Sequence, residues 1–147
     1  MKMTSNRCAL FAVLLAGSGW TCAFSPAALA EINQFAKILN NCTPTPGVRD
    51  TTARYLPKNN LLQMTVDYFG VIQMAVVDLN KLASVTYAPD KGLEFRCDAY
   101  EVCVGVAPVS QFAGKYKLEN DVVAQDSFLF SGCRTSALQD AADEFNY

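Results

Sequence analysis

The chain has 147 residues, 51% of them apolar, with 12 basic and 14 acidic side chains, six cysteines and no histidine. The missing histidine excludes Ser-His-Asp hydrolysis, Cys-His proteolysis and His-ligated metal sites. A net charge of −2 with no basic run argues against nucleic acid as a partner, and by the same reasoning disfavours an anionic membrane surface.

The first 30 residues read as a secretory signal. Lys2 and Arg7 form a basic start, Ala9–Ala16 an apolar centre, and Ala28-Leu29-Ala30 an A-x-A cleavage pattern that would make Glu31 the first mature residue, with Thr21-Cys22-Ala23 a second possible cut. The apolar centre is far short of the roughly 20 residues that span a bilayer, so no stable membrane span is expected after removal of the signal. The expected location is exported, periplasmic or extracellular. Cys8 and Cys22 leave with the signal. Cys42, Cys97, Cys103 and Cys133 stay, and an even count in an exported chain points to two disulfides. Cys-x5-Cys is not a usual zinc spacing and no histidine completes such a site, so neither a metal nor another cofactor is expected.

Residues 31–40 predict a short helix, with Ile32, Phe35, Ala36 and Leu39 on one apolar stripe, stopped by Asn40-Asn41, Pro44 and Pro46. Asn41-Cys42-Thr43 fits a glycosylation acceptor, relevant only in a eukaryotic secretory path. Residues 43–60, with three prolines and a glycine, read as a long irregular connection.

From Leu61 the texture becomes short β-type runs between turn residues. Strands are expected at 61–67 and 71–77, joined by a reversal at Phe69-Gly70. A connection at 78–81 leads to a hairpin of 83–87 and 93–97 around Ala88-Pro89-Asp90-Lys91-Gly92. In that hairpin Val85, Tyr87, Leu93, Phe95 and Cys97 fall on inner faces, and Ser84, Thr86, Glu94 and Arg96 on outer ones. Further strands are expected at 102–109, 115–118 and 127–132. Ser136-x-x-Gln139 reads as a capping box opening a helix with Leu138, Ala141, Ala142 and Phe145 on one stripe. If Asp98–Glu101 is a turn, Cys97 and Cys103 face each other across an antiparallel pair at a separation a disulfide accepts. That pairs Cys97 with Cys103 and, by exclusion, Cys42 with Cys133, a closure of about 90 residues that stabilises by roughly 4–5 kcal/mol.

The expected fold class is therefore α+β. It is one disulfide-stabilised domain over 31–147: a mostly antiparallel meander or barrel of about seven short strands, with a short N-terminal helix and a C-terminal amphipathic helix. Paired carboxylates are the one catalytic option left. Asp67, Asp78, Glu94, Glu101, Asp140, Asp143 and Glu144 are the candidates, but each fits a turn, a polar strand face or a solvated helix side. The aromatic residues Tyr55, Tyr68, Phe69, Tyr87, Tyr100, Phe112 and Tyr116 suit binding as well as packing. Tyr100, at the tip of the 97–103 segment, and Tyr68-Phe69, beside Gly70, are the candidate binding tips.

The run Val76-Val77-Asp78-Leu79-Asn80-Lys81-Leu82-Ala83-Ser84-Val85-Thr86-Tyr87, followed by Leu93-Glu94-Phe95-Arg96-Cys97, resembles the central strands of pleckstrin-homology-like barrels. So does the order of strands followed by one terminal helix, over about residues 61–147. That resemblance implies a binding or docking scaffold. The basic lipid-headgroup pocket of membrane-binding members is not evident, so lipid binding does not carry over. The expectation is an exported non-catalytic binding module for a protein, peptide or envelope component. An inhibitor or immunity protein against a secreted hydrolase is the narrower alternative, and a small carboxylate-based enzyme the alternative from another class.

Overall fold

The computed structural model describes residues 26–145 apart from Asp90. Residues 1–25 of the expected signal lie outside the described residues. Helix α1, Pro26–Asn40, is followed by β1 (Asp50–Leu56), β2 (Leu61–Asp67) and β3 (Ile72–Asp78). A single 3₁₀ turn, Leu79–Lys81, leads to β4 (Leu82–Ala88), β5 (Gly92–Cys97), β6 (Val104–Phe112) and β7 (Lys115–Leu118). The described chain ends with β8 (Val123–Gln125), β9 (Ser127–Phe130) and α2 (Thr135–Phe145).

The strands form two antiparallel sheets. One has the order β1-β2-β3-β6-β7, with β8 also pairing β6; the other is β4-β5-β9. Alternation decides what each sheet buries. Ala53, Leu62, Met64, Val66, Ala75, Val77, Val104 and Val106 point inward from the larger sheet; Val85, Leu93, Phe95 and Phe130 do so from the smaller. The segment 123–130 belongs to both. It pairs β6 through β8, and after Asp126, whose carbonyl accepts from Cys97 N at 2.9 Å, it pairs β5 through β9. That bent segment joins the sheets along one side.

The opposite side, between β1 and β4, is not closed by strands. There α1 packs against β1 and α2, while α2 packs against β4 and β5. The fold is thus α+β and β-rich as expected, but it is not a closed barrel. Phe35 of α1 lies at the centre of the helical side, edge-on to Phe95 at 6.0 Å and to Phe145 at 5.3 Å between ring centroids. The last residue of α1 also covers the free edge of β1. The Asn40 carboxamide accepts from Ala53 N at 2.7 Å and donates to Ala53 O at 2.8 Å, standing in for a neighbouring strand. Asn40→Ala leaves both backbone groups unpaired. It is expected to cost about 1–2 kcal/mol in urea unfolding, and no measurable change would contradict this capping role.

Several expectations are corrected. The helix placed at 31–40 starts five residues earlier, at Pro26, a residue suited to a first helical turn. The connection placed at 43–60 contains β1, whose buried residues Thr51 and Ala53 are too small or polar to announce a strand. β8 is likewise beyond the expectation, which with β1 makes nine strands among the described residues in place of seven. Ser136 lies inside α2, not at its N-cap, because Leu138 N already donates to Arg134 O.

Among the described residues the disulfides are Cys97–Cys103 and Cys42–Cys133, with Cα atoms 5.5 and 5.7 Å apart. Contrary to expectation, the first does not link facing residues of a hairpin. β5 and β6 are not a hairpin; they lie in different sheets, and residues 98–103 carry the chain from one to the other. The bridge staples that passage, and Cys103 N donates to Cys97 Sγ at 3.0 Å.

Candidate functional site

Register sorts the loops into two ends of the molecule. Ile72 of β3 pairs with Val109 of β6, so the β2–β3 turn and the β6–β7 hairpin project from the same end, on neighbouring strands about 4.8 Å apart. The β4–β5 hairpin joins them, since Gly92 lies against the Phe130 carbonyl where β9 finishes. An added Cβ there would come within 2.2 Å of that oxygen, and φ is +125°, so only glycine brings β5 in at this point. The segments 43–49 and 131–134 complete this hairpin end, tied by Thr45 N to Gly132 O, Arg134 N to Thr43 O and Arg49 N to Asp67 O.

The other end holds the β1–β2 turn, the 3₁₀ turn, the 98–103 crossing and Asp126. Its ties run from Leu79 N to Asn60 O, Asp78 N to Cys103 O and Asp98 N to Lys81 O. Asn60, buried and left-handed at φ 54°, accepts from the Tyr55 hydroxyl at 3.1 Å and donates to Asn80 at 2.8 Å. Burial pushes the Tyr55 phenol pKa up.

The three expected binding tips therefore do not converge. Tyr68 and Phe69 stand at the hairpin end, whereas Tyr100, fully exposed with φ 67°, stands at the crossover end, a strand length of roughly 20 Å away. What the structure brings beside Phe69 is Phe112, at the end of β6. Phe69 is 69% exposed and Phe112 83%, with Tyr68 and Val71 of the β2–β3 turn also exposed. Reasoning from sequence had Phe112 among the aromatic residues but not as a tip. The signal was there in Phe112-Ala113-Gly114, an aromatic against a turn pair between two β-type runs.

Local chemistry explains how these tips are held. Tyr68 N donates to Val71 O and Gly70 N donates to Asp67 Oδ1 at 2.9 Å, closing the turn with Phe69 in the left-handed region at φ 57°. Asp67 is itself buried and paired with Arg49 at 2.9 Å, so the turn rests on an anchored carboxylate. At the second tip Ala113 and Gly114 take φ 50° and 75°, the two positive values that a tight hairpin requires.

Four of the seven carboxylate candidates are engaged structurally, and the other three lie on α2. Asp67 supports the Phe69 turn, Asp78 accepts from Asn80 N at the 3₁₀ turn, and Glu101 pairs with Lys81 at 3.3 Å. Glu94 accepts from Arg96 at 2.6 Å, a bond that raises the Arg96 pKa. Asp140 and Asp143 are exposed on α2, and Glu144 half-buried. Among the described residues, no group of three or more cysteine, aspartate or glutamate side chains is placed to hold a metal ion, and no helix is long and apolar enough to cross a membrane.

No protein family, no curated protein and no solved structure matches this chain. Nothing in these comparisons identifies the fold with pleckstrin-homology-like barrels. The functional reading has to come from the hairpin end.

Proposed function

We propose that the protein is an exported, non-catalytic binding module that engages its partner with the hairpin end, through Tyr68, Phe69 and Phe112. One observation carries this reading: the exposed rings of Phe69 and Phe112 share one end of the molecule, whereas Tyr100, left-handed and exposed like Phe69, stands at the other. A left-handed bulky residue costs about 1–2 kcal/mol, and leaving a phenyl ring in water forgoes roughly 1.5–3 kcal/mol of burial. The Asp67 carboxylate and the Val71 carbonyl close the turn that holds Phe69 in this conformation, while its ring stays in water. Phe112 on the neighbouring strand repeats the exposure. Export is supported by the N-terminal signal pattern and by two disulfides, which persist in oxidising compartments.

The test is site-specific photo-crosslinking in the producing cells, with a benzoylphenylalanine at position 69, 112, 58 or 100. Adducts of protein, glycan or lipid mass are expected at 69 and 112, with only background at 58 and 100. Adducts confined to 58 or 100 would overturn the reading.

A further inference from the structure

Strand β7 ends the larger sheet, and no strand lies beyond it among the described residues. All of its residues are exposed. The phase of the β6–β7 ladder decides which backbone groups that edge leaves free. The two-residue loop Ala113-Gly114 closes on Phe112 and Lys115, and in a tight hairpin the closing pair is a hydrogen-bonded one. Alternation carries the inward bonds to Lys117, and Glu119 N donates to Pro108 O at 3.0 Å in the same phase. The amide and carbonyl groups of Tyr116 and Leu118 therefore point away from β6. Past Glu119 the chain bulges: between the Val109–Leu118 and Val106–Val123 pairs, residues 119–122 oppose only Ala107 and Pro108.

A free edge invites another strand, and the charges along it select which. Lys115, Lys117, Glu119 and Asp121 alternate with Tyr116, Leu118 and Asn120, and all seven are exposed. None of the four charged side chains enters an ion pair among the described residues. The segment is thus antisymmetric in charge about Leu118. We propose that β7 pairs antiparallel with β7 of a second copy of this chain, around a twofold axis at Leu118. Leu118 then meets its own copy as a hydrogen-bonded pair, through the outward groups that β6 leaves free. Lys117 lies directly across from Glu119 of the second copy, in the kind of pair where side chains come closest, and Lys115 faces Asp121 one step further out. Neighbouring centres fail on charge. An axis at Tyr116 sets Lys115 against Lys117, one at Lys117 sets that lysine against itself, and one at Glu119 does the same for the carboxylate. The residues nearest the proposed axis, 117–119, all precede the bulge. Pairing there makes the larger sheets of two copies continuous and covers Leu118, 54% exposed, on the face it shares with Val109. So short an edge buries less than the roughly 1,200–2,000 Å² of a stable complex, so the dimer is reversible, with a Kd on the order of 100 μM. The paired segment stops short of Phe112, and the dimer does not use the tips of the hairpin end.

The experiment is sedimentation equilibrium of the natively processed protein from about 5 μM to 1 mM, a range that brackets that Kd. The mass is expected to climb from one chain toward two and to stop there, because a twofold contact closes on itself. The climb should weaken as salt rises. Lys117→Glu and Glu119→Lys each place two like-charge pairs beside the axis and should each raise the Kd about tenfold. The two changes in one chain restore opposite charges and should return the Kd to within about threefold of its original value. An equimolar mixture of the two single variants should dimerise as well, since every facing pair is then opposite in sign. Both side chains are exposed, so the fold does not rest on them. A benzoylphenylalanine at position 118 in the producing cells should give an adduct of two chains. A single-chain mass throughout, association beyond two chains, single variants that dimerise undiminished, or a double variant that fails to recover would overturn the proposal. So would an adduct at 118 to a different protein alone, which would give the edge to a foreign strand.

Discussion

Replacing Cys42 and Cys133 together by serine is expected to lower the unfolding free energy by about 4–5 kcal/mol. The bridge spans a sequence separation of 91, and in the chain-entropy account removing a closure of that size releases about 4.5 kcal/mol of constraint on the unfolded chain. The Cys97–Cys103 bridge, with a separation of 6, contributes only about 2–2.5 kcal/mol by the same relation. Local structure adds to the first figure. Cys133 is 1% exposed, adjoins the Thr51 hydroxyl that donates to Leu39 O at 3.0 Å, and pairs with Pro44 in an isolated bridge, so a serine there buries a new hydroxyl. Set against a total stability of about 5–15 kcal/mol, the double replacement removes a third or more of it. Urea unfolding of both cysteine-pair variants decides the matter: equal losses would show that loop length is not what the long bridge supplies.

Phe35→Ala is expected to cost about 3–5 kcal/mol. Phe35 is fully buried and meets Phe95 from β5 and Phe145 from α2 edge to face. It therefore loses its own burial and two ring contacts of about 0.5–1.5 kcal/mol each, at the one side where no strand can move in to refill the space. Phe35→Leu keeps most of the volume and should cost less than about 1.5 kcal/mol. A Phe35→Ala loss no greater than that of the leucine variant in chemical denaturation would show that α1 is peripheral.

Much of the fold was legible because short-range patterns decide it. The seven expected strands lie within a few residues of their places, and alternation put Val85, Leu93 and Phe95 on the inner face. Ala88–Gly92 was readable because proline and glycine restrict φ in ways a hairpin needs. β1 was not legible, because its inner positions are Thr51, Ala53 and Tyr55 and three prolines surround it in sequence. The 97–103 crossing was misread because a six-residue separation fits both a hairpin and a passage between sheets. Only the long-range β3–β6 pairing separates the two. The hairpin end was the least legible part. No local pattern states that the turn at residue 69 and the hairpin beyond residue 112 emerge at one end of the molecule.

The adjacency of α1 and α2 also orders events in time. During synthesis Cys42 emerges 91 residues before Cys133, and the two wrong partners, Cys97 and Cys103, arrive in between. Closing a loop of about ten residues takes roughly 10–100 ns, so Cys97 and Cys103 meet far more often than either meets Cys42. Their early oxidation withdraws both competitors from thiol exchange and leaves Cys42 a single choice when Cys133 arrives. On this account the short bridge, minor as a stabiliser, acts as a proofreading device for the long one.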